Sequence, residues 1–530
     1  MQARVPVTFA PAGVTIWVEP GVTVAEAARA ASVLLAAPCA GRGVCGGCGV
    51  RVVGGALEPA DEVETRALMR APRGVRLACR ARVAGAVEVR PLYAGLPASE
   101  TSASATPEVA GPPRRDIALV AGIDLGTTSV AALIAEADSG REIARASVAN
   151  HQASFGADVL SRISASLAGE ADALRTLAED SALSALRAAG EAGSADVSRV
   201  ERLVVAGNSA MAALLMGADV TSLASHPFTP PVGGELLAAD SLLRAAIASG
   251  AQATLVPPMA AFVGGDALAA TVAAGLVDVD APVLLVDLGT NAELVLARPD
   301  GLLVTSTAAG PAFEGVGVSC GGPAVAGAVD RVVIAEGGVQ LHAIDDAEPL
   351  WFSGAGLVSA IAALLSVGHI APDGAMVADG PLACRFSRDP AGVLGVRLSA
   401  DEAPLVMLTQ LDVRALQLAK AAVRAGIEAL LRKAALSADE LSEVLVAGAF
   451  GAALQPEDLV AIGVLPSNAA SRIRRVGNAA LEGAAAMALD IGLLQIAAQT
   501  AAQAVHVDLA ADSAFSADFI VATEFRPYEV

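Results

Sequence analysis

Short runs in which apolar and polar positions alternate occupy the first ninety residues. Residues 5–9, 14–18, 50–53 and 87–89 predict strands, and 24–35 predicts a helix. Residues 97–113 (PASETSASATPEVAGPP) carry almost no large apolar side chain and predict a flexible, partly extended linker. Beyond it a strand at 117–123 ends in Asp124-Leu125-Gly126-Thr127-Thr128 and continues at 130–134. The same pattern returns 163 residues later, where 283–286 ends in Asp287-Leu288-Gly289-Thr290-Asn291 and continues at 294–297. Two hairpins with one DLGT turn predict two related lobes. Ala-rich helical segments at 157–189 and 413–433 supply outer layers, so the chain reads as a multidomain protein mixing α+β and α/β parts.

Composition changes this picture in two ways. The 530 residues suffice for about three domains. Apolar residues are 54%, charged residues 17%, and mean hydropathy is +0.58, a profile that invites a membrane reading. The longest uncharged stretches, 245–265 and 349–372, are broken by Pro257, Pro258, Gly354, Gly356 and His369, and they read better as buried small-residue helices and turns. The N-terminus alternates like a strand and shows no basic region followed by an apolar helix, so the expected compartment is the cytoplasm. With 35 basic and 56 acidic residues the net charge is −21, which argues against nucleic acid and anionic membrane as partners.

Four of the six cysteines lie in the first 79 residues, too clustered for a secreted disulfide framework. Cys39 and Cys45 are separated by five residues, Cys45 and Cys48 by two, and Cys79 follows after thirty more. Four thiolates and the Gly-rich stretches 40–44 and 46–47 suit a 2Fe-2S cluster, whose sulfides need close backbone N–H groups. The alternative, a four-cysteine zinc site, normally uses two CxxC pairs. Cys320 and Cys384 stand alone and read as small buried hydrophobes.

At each DLGT turn the glycine (Gly126, Gly289) lets the chain tighten, and the residues after it (Thr127 and Thr128; Thr290 and Asn291) can present hydroxyls and amides to phosphate oxygens. Asp124 and Asp287, ending the preceding strands, can hold a hydrated Mg2+. A third element, 445–451, runs from an apolar strand into the Gly-rich turn Gly448-Ala449-Phe450-Gly451.

The cysteine segment resembles plant-type and adrenodoxin-type ferredoxins of β-grasp fold. The two turns and the 445–451 segment resemble the phosphate and adenosine segments of the ASKHA superfamily, the actin-like ATPase fold in which two lobes close on ATP. The combination resembles the reductive activators of corrinoid proteins, the RACo-like family. Further stretches resemble that family in order: Asn150-His151-Gln152, Gly156 to Val159, Val205 to Met211, Val263 to Asp266, Ala309 to Gly315, Leu411 to Arg414, Ala419-Lys420 and Val476-Gly477-Asn478. The chain departs from the family's common pattern at Ser209, at Ala212 and at Ala449.

The resemblance implies residues 1–94 as a 2Fe-2S ferredoxin-like domain, 95–115 as linker, and 116–280 and 281–530 as the two ASKHA lobes. It implies metal ligation by Cys39, Cys45, Cys48 and Cys79. It further implies nucleotide contacts from Asp124, Gly126, Thr127, Thr128, Asp287, Gly289, Thr290, Asn291, Gly310, Gly448, Phe450 and Gly451, with ATP and Mg2+ as cofactors and no catalytic side chain assigned. The implied function is ATP-dependent reduction of inactive Co(II) to Co(I) in a corrinoid protein or corrinoid-dependent methyltransferase, with an upstream electron donor and a second copy of the chain as further candidate partners. Two rival readings are a small-molecule kinase with a regulatory ferredoxin domain and a ferredoxin-type electron carrier for another low-potential enzyme. Among single residues, Asp266 reads equally as a turn residue or a metal or phosphate ligand, and Asp412 as a helix cap or such a ligand. Glu314 reads as a shaped, substrate-facing loop carboxylate against an exposed turn, Lys420 as a solvated helix-face charge against a functional residue, Trp17 and Trp351 as packing residues, and no histidine is assigned a role.

Overall fold

The computed structural model describes residues 4–10, 13–31, 33, 35, 41, 43, 48–68, 74–91, 114, 117–156, 158–238, 240–322, 324–335, 338–389, 391–401, 403–448 and 453–528. The predicted linker, apart from Arg114, lies outside them, as do Cys39, Cys45, Phe450 and Gly451.

The alternating N-terminal runs form a five-stranded sheet in the spatial order Val14–Val18, Val5–Phe9, Val83–Pro91, Gly49–Leu57, Val75–Leu77. Val5–Phe9 runs parallel to Val83–Pro91 and the other neighbours are antiparallel. The helix Val24–Ala30 opens with a capping box between Thr23 and Glu26 and packs Val24, Ala27 and Ala28 onto Val7, Phe9 and Val89. It stops five residues before the predicted end at 35. Trp17 is not a packing residue: it stands on an edge strand and is 60% exposed.

The two DLGT hairpins open two sheets with one topology. In the first, Glu142–Ala149, Ser129–Glu136 and Leu119–Leu125 form an antiparallel meander, followed by Val200–Gly207 and Gln252–Leu255 in parallel. In the second, Gly301–Thr307, Ala292–Arg298 and Val283–Leu288 form the meander, with Glu443–Ala447 and Ile473–Gly477 parallel beyond it. Helices cover both faces, which is why the central strands read as unbroken apolar runs. One core cluster takes residues from both sheets, and helices Gly265–Ala273 and Ala479–Leu489 cross within it. Their approach requires glycine: a Cβ on Gly483 would lie 1.9 Å from the Ala269 carbonyl oxygen.

The predicted helix 157–189 is broken into Val159–Ala165 and Ala171–Ala192 by a wide turn around Gly169, whose φ is +103°. Helix Gln410–Ala434 begins at a Thr409–Asp412 capping box, so Asp412 serves as a structural carboxylate that also accepts from the Ser319 N–H and hydroxyl. Lys420 is not a solvated face charge: it is fully buried, donates to the Glu524 carbonyl at 2.5 Å and sits over the Phe525 ring. Cys384 is exposed rather than buried, and Cys320 is partly buried. Among the described residues no helix is long and apolar enough to cross a membrane.

Candidate functional site

Cys48 immediately precedes strand Gly49–Leu57, and Cys79 lies two residues past strand Val75–Leu77. Because Gly49 pairs with Leu77, the two cysteines emerge side by side with Sγ atoms 3.3 Å apart. Buried Glu64 fixes the second strand by pairing bidentately with Arg76 at 2.8 and 2.9 Å and accepting from the Leu77 N–H. Two thiols at this separation can serve one iron, and the geometry therefore fits the predicted cluster on the half of the ligand set that is described.

The second site lies where the two lobes face each other, a cavity of about 110 Å³. Both DLGT turns line it, contributing Asp124, Gly126, Thr127 and Thr128 from one lobe and Asp287, Gly289, Thr290 and Asn291 from the other. Gly448 joins them; its φ is +99°, and a Cβ there would come within 2.6 Å of the Leu288 carbonyl oxygen and 2.8 Å of Asp287 Oδ1. Gly310 does not line the cavity but donates its N–H to the Thr290 carbonyl at 2.9 Å, holding that turn from outside.

Seven residues beyond the nucleotide contacts implied by the sequence also line this cavity, among them Asn208, Glu293, Glu314 and Asn478, and Asp266, in the first turn of helix Gly265–Ala273, lines it too. Asn208 caps helix Ser209–Met216 and its amide donates to the Thr127 hydroxyl; Asn478 caps helix Ala479–Leu489 and donates to Asp124. Each follows a glycine at a strand end, a repeated Gly-Asn signal that was readable. Glu293 pairs across the ladder with Asp287, where the first lobe has Ala131 opposite Asp124. Glu314 is buried rather than an exposed turn carboxylate, and accepts from Thr128 and Thr290.

Electrostatically the cavity is an unbalanced acidic cage. Burial pushes Asp124 up to about 6, with the Asn478 amide opposing, and pushes Asp266 up to about 7 with help from the neighbouring Asp124 charge. Asp287 is pushed up to about 8 by burial and then by repulsion from Asp266 and Asp124, and Glu293 is raised well above its ordinary value by burial and then by repulsion from Asp266 and Asp287. Such a set favours a cation. Among the described residues no three acidic, His or Cys side chains are close enough to hold a bare metal ion. A hydrated Mg2+ held through water and phosphate suits this spacing, since Mg2+ dehydrates reluctantly.

Behind the first turn, fully buried Arg162 donates to the Thr127 carbonyl and, at 3.0 Å, to the Gly156 carbonyl, while Asn150 donates to the Gly126 carbonyl at 2.8 Å. Burial lowers Arg162 to about 10. His369, buried between the Val377 carbonyl and the Leu382 N–H, is a structural residue away from the cleft.

Residues 7–84 match the 2Fe-2S iron-sulfur cluster binding domain, 119–278 the RACo middle region, and 281–530 the C-terminal ASKHA domain of RACo. The corrinoid activation enzyme RamQ of Eubacterium limosum is 31% identical over 415 residues, 76% of this chain and 69% of the relative. A Co(II) methylated amine-specific corrinoid protein reductase of Methanosarcina barkeri is 27% identical over 328 residues, 56% of this chain and 57% of that protein. A solved structure of a reductive activator for corrinoid, iron-sulfur protein shares the fold over 99% of both chains, with TM-score 0.70 and 23% identity.

Proposed function

Because the chain belongs to the family of reductive activators of corrinoid proteins, we propose that it is an ATP-dependent activase returning a corrinoid protein from Co(II) to Co(I) by one-electron transfer from a 2Fe-2S cluster. The observation that carries this reading is the presence in one chain of the Cys48–Cys79 thiol pair and of a two-turn acidic cleft between repeated lobes. In the proposed division, residues 1–94 hold the cluster through Cys39, Cys45, Cys48 and Cys79, 95–115 tether it, and 116–280 with 281–530 form the nucleotide-binding lobes. Asp124, Gly126, Thr127, Thr128, Asp287, Gly289, Thr290 and Asn291 are assigned to the phosphates and a hydrated Mg2+, and Gly448, Phe450 and Gly451 to the adenosine side. Gly310 becomes a supporting contact. Clustered thiol ligands in place of disulfides favour a reducing compartment, the cytoplasm.

The cluster supplies a low-potential electron, about −400 mV for plant-type centres, and every 59 mV of adverse gap costs about tenfold in a one-electron equilibrium. ATP assists only if its bound state interacts differently with the corrinoid partner. Residues of both lobes meet at the cleft, so nucleotide binding there changes how the lobes sit, and through them the face offered to the partner. A kinase reading would need turnover independent of the cluster, and a plain electron carrier would have no use for the cleft.

The purified protein is expected to carry about two iron and two sulfide per chain. It should reduce the Co(II) of the cognate corrinoid protein to Co(I), monitored by the cobalt absorption bands, faster and further with MgATP. The Asp287→Asn variant should retain its iron and lose the ATP stimulation. Co(I) formation indifferent to ATP in the intact protein would leave the plain electron carrier as the better reading.

A further inference from the structure

Glu314 occupies a position that a phosphate-binding cleft has no ordinary reason to give a carboxylate. It closes the short turn Pro311–Glu314 of the second lobe, a turn packed tightly in place: Phe313 is fully buried, and a Cβ on Gly354 would lie 1.6 Å from the Phe313 carbonyl oxygen. From this fixed base one carboxylate oxygen accepts from the Thr290 hydroxyl of its own lobe at 2.6 Å, and the other accepts from the Thr128 hydroxyl of the opposite lobe at 2.8 Å. Thr290 follows the glycine of its turn as Thr127 follows the glycine of the first turn, and Thr128 is the next residue along. Each hydroxyl has a single proton to donate. Whatever accepts it at one moment excludes every other acceptor.

The cavity beside this bridge measures about 110 Å³. Phosphate oxygens can take the two hydroxyl protons only by displacing the Glu314 carboxylate. We infer that Glu314 is a clasp: its carboxylate stands in for a phosphate, ties the two turns together across the lobe boundary in the nucleotide-free protein, and is displaced from both hydroxyls when phosphate arrives. This inference rests on reading the cleft as the ATP site. It gives the chain a closed resting state and makes Glu314 a positioning residue that the incoming nucleotide must outcompete. Both bonds are charge-assisted, so a neutral amide at the same place holds roughly half as well and a methyl group not at all.

The test measures hydrogen–deuterium exchange across residues 124–130 and 287–293, and MgATP affinity by calorimetry, in the full chain with Glu314→Gln and Glu314→Ala. Without nucleotide, exchange should be faster by at least about threefold in Glu314→Ala and intermediate in Glu314→Gln, returning to the wild-type level with MgATP. Affinity for MgATP should rise about tenfold in Glu314→Ala. Unchanged exchange in the free variants overturns the clasp even if affinity rises, because loss of one negative charge near the phosphates would do that alone. Weaker MgATP binding also overturns it, making Glu314 a nucleotide ligand. Should the Glu314 variants fail to fold, Thr128→Val breaks the cross-lobe arm alone and should show the faster exchange, while Thr128→Ser keeps the hydroxyl and should not. If wild-type protein binds no MgATP, the reading of the cleft fails, and the exchange of the free variants still decides whether Glu314 joins the lobes.

Discussion

The acidic cleft stores protons that an unfolded chain would release. Asp124, Asp266 and Asp287 ordinarily ionise at 3.8, and in the folded cleft they are pushed up to about 6, 7 and 8. Between those limits the native state binds more protons than the unfolded one, so stability falls as pH rises through the window. Lys420, lowered by burial to about 7, acts in the opposite sense over a higher range, because there the unfolded chain is the one holding the extra proton. The cleft's share is therefore read as a difference: between about pH 5.5 and 8.5 the melting temperature of nucleotide-free protein should fall more steeply than that of Asp287→Asn. MgADP should flatten the wild-type slope by supplying the missing positive charge. Equal slopes with and without the substitution would remove Asp287 from the titrating set. Residue types legible from the sequence, such as the DLGT aspartates, were those repeated in the chain. Glu293 was harder, since it acquires meaning only from the cross-strand register with Asp287, and for Glu314 the sequence suggested a site-facing loop but not its two threonine partners, which come from the meeting of the lobes.

At the scale of elements, strand patterning was the most informative signal. Every predicted N-terminal strand and both DLGT hairpins are present: Val5–Phe9 and Val14–Val18 match their predicted bounds, Gly49–Leu57 and Val83–Pro91 run past theirs where ladder pairing continues, and Leu119–Leu125 starts and ends two residues later than predicted. Helix ends were less legible: the first helix ends at Ala30 with Ala31 as its cap, short of the predicted 35, and Gly169 interrupts what composition alone presents as one Ala-rich helix. The parallel pairings of Val200–Gly207 and Glu443–Ala447 were invisible in local sequence, because they depend on crossovers rather than turns. The small residues of Gly265–Ala273 and Ala479–Leu489, to which the sequence reading assigned no element, set the distance between the lobes. Gly483→Ala puts a methyl group into the Ala269 carbonyl and should destabilise the protein by about 1–3 kcal/mol, measured by denaturant unfolding. Since the same crossing carries the Asn478 cap that donates to Asp124, nucleotide affinity should weaken with it. A stability equal to wild type would mean that the lobes separate without cost.

For the molecule as a whole, activation requires the cluster and the nucleotide cleft to communicate, and one route is visible. Arg29, on the helix of the N-terminal sheet, donates to the Ser154 carbonyl at 3.1 Å and stacks its guanidinium 4.9 Å from the centre of the Phe155 ring. Those two residues end the short turn His151–Phe155, which begins at Asn150, the residue that holds the Gly126 carbonyl. Immediately after the turn, Gly156 shares Arg162 with the Thr127 carbonyl. If nucleotide displaces the first DLGT turn, two buried side chains, Asn150 and Arg162, connect that movement to the surface against which the N-terminal sheet rests. The resting contact itself is weak, since an exposed cation–π pair is worth about 0.5–1 kcal/mol. Arg29→Ala removes both contacts while leaving the cysteines and the cleft untouched. The variant should keep its iron content and its MgATP affinity, yet reduce Co(II) severalfold faster than wild type in the absence of ATP, with a correspondingly smaller stimulation by ATP, because its cluster is already free to approach the partner. Rates identical to wild type in both conditions would mean that the Arg29 contact plays no part in coupling, and that the nucleotide acts on the corrinoid partner through the lobes alone.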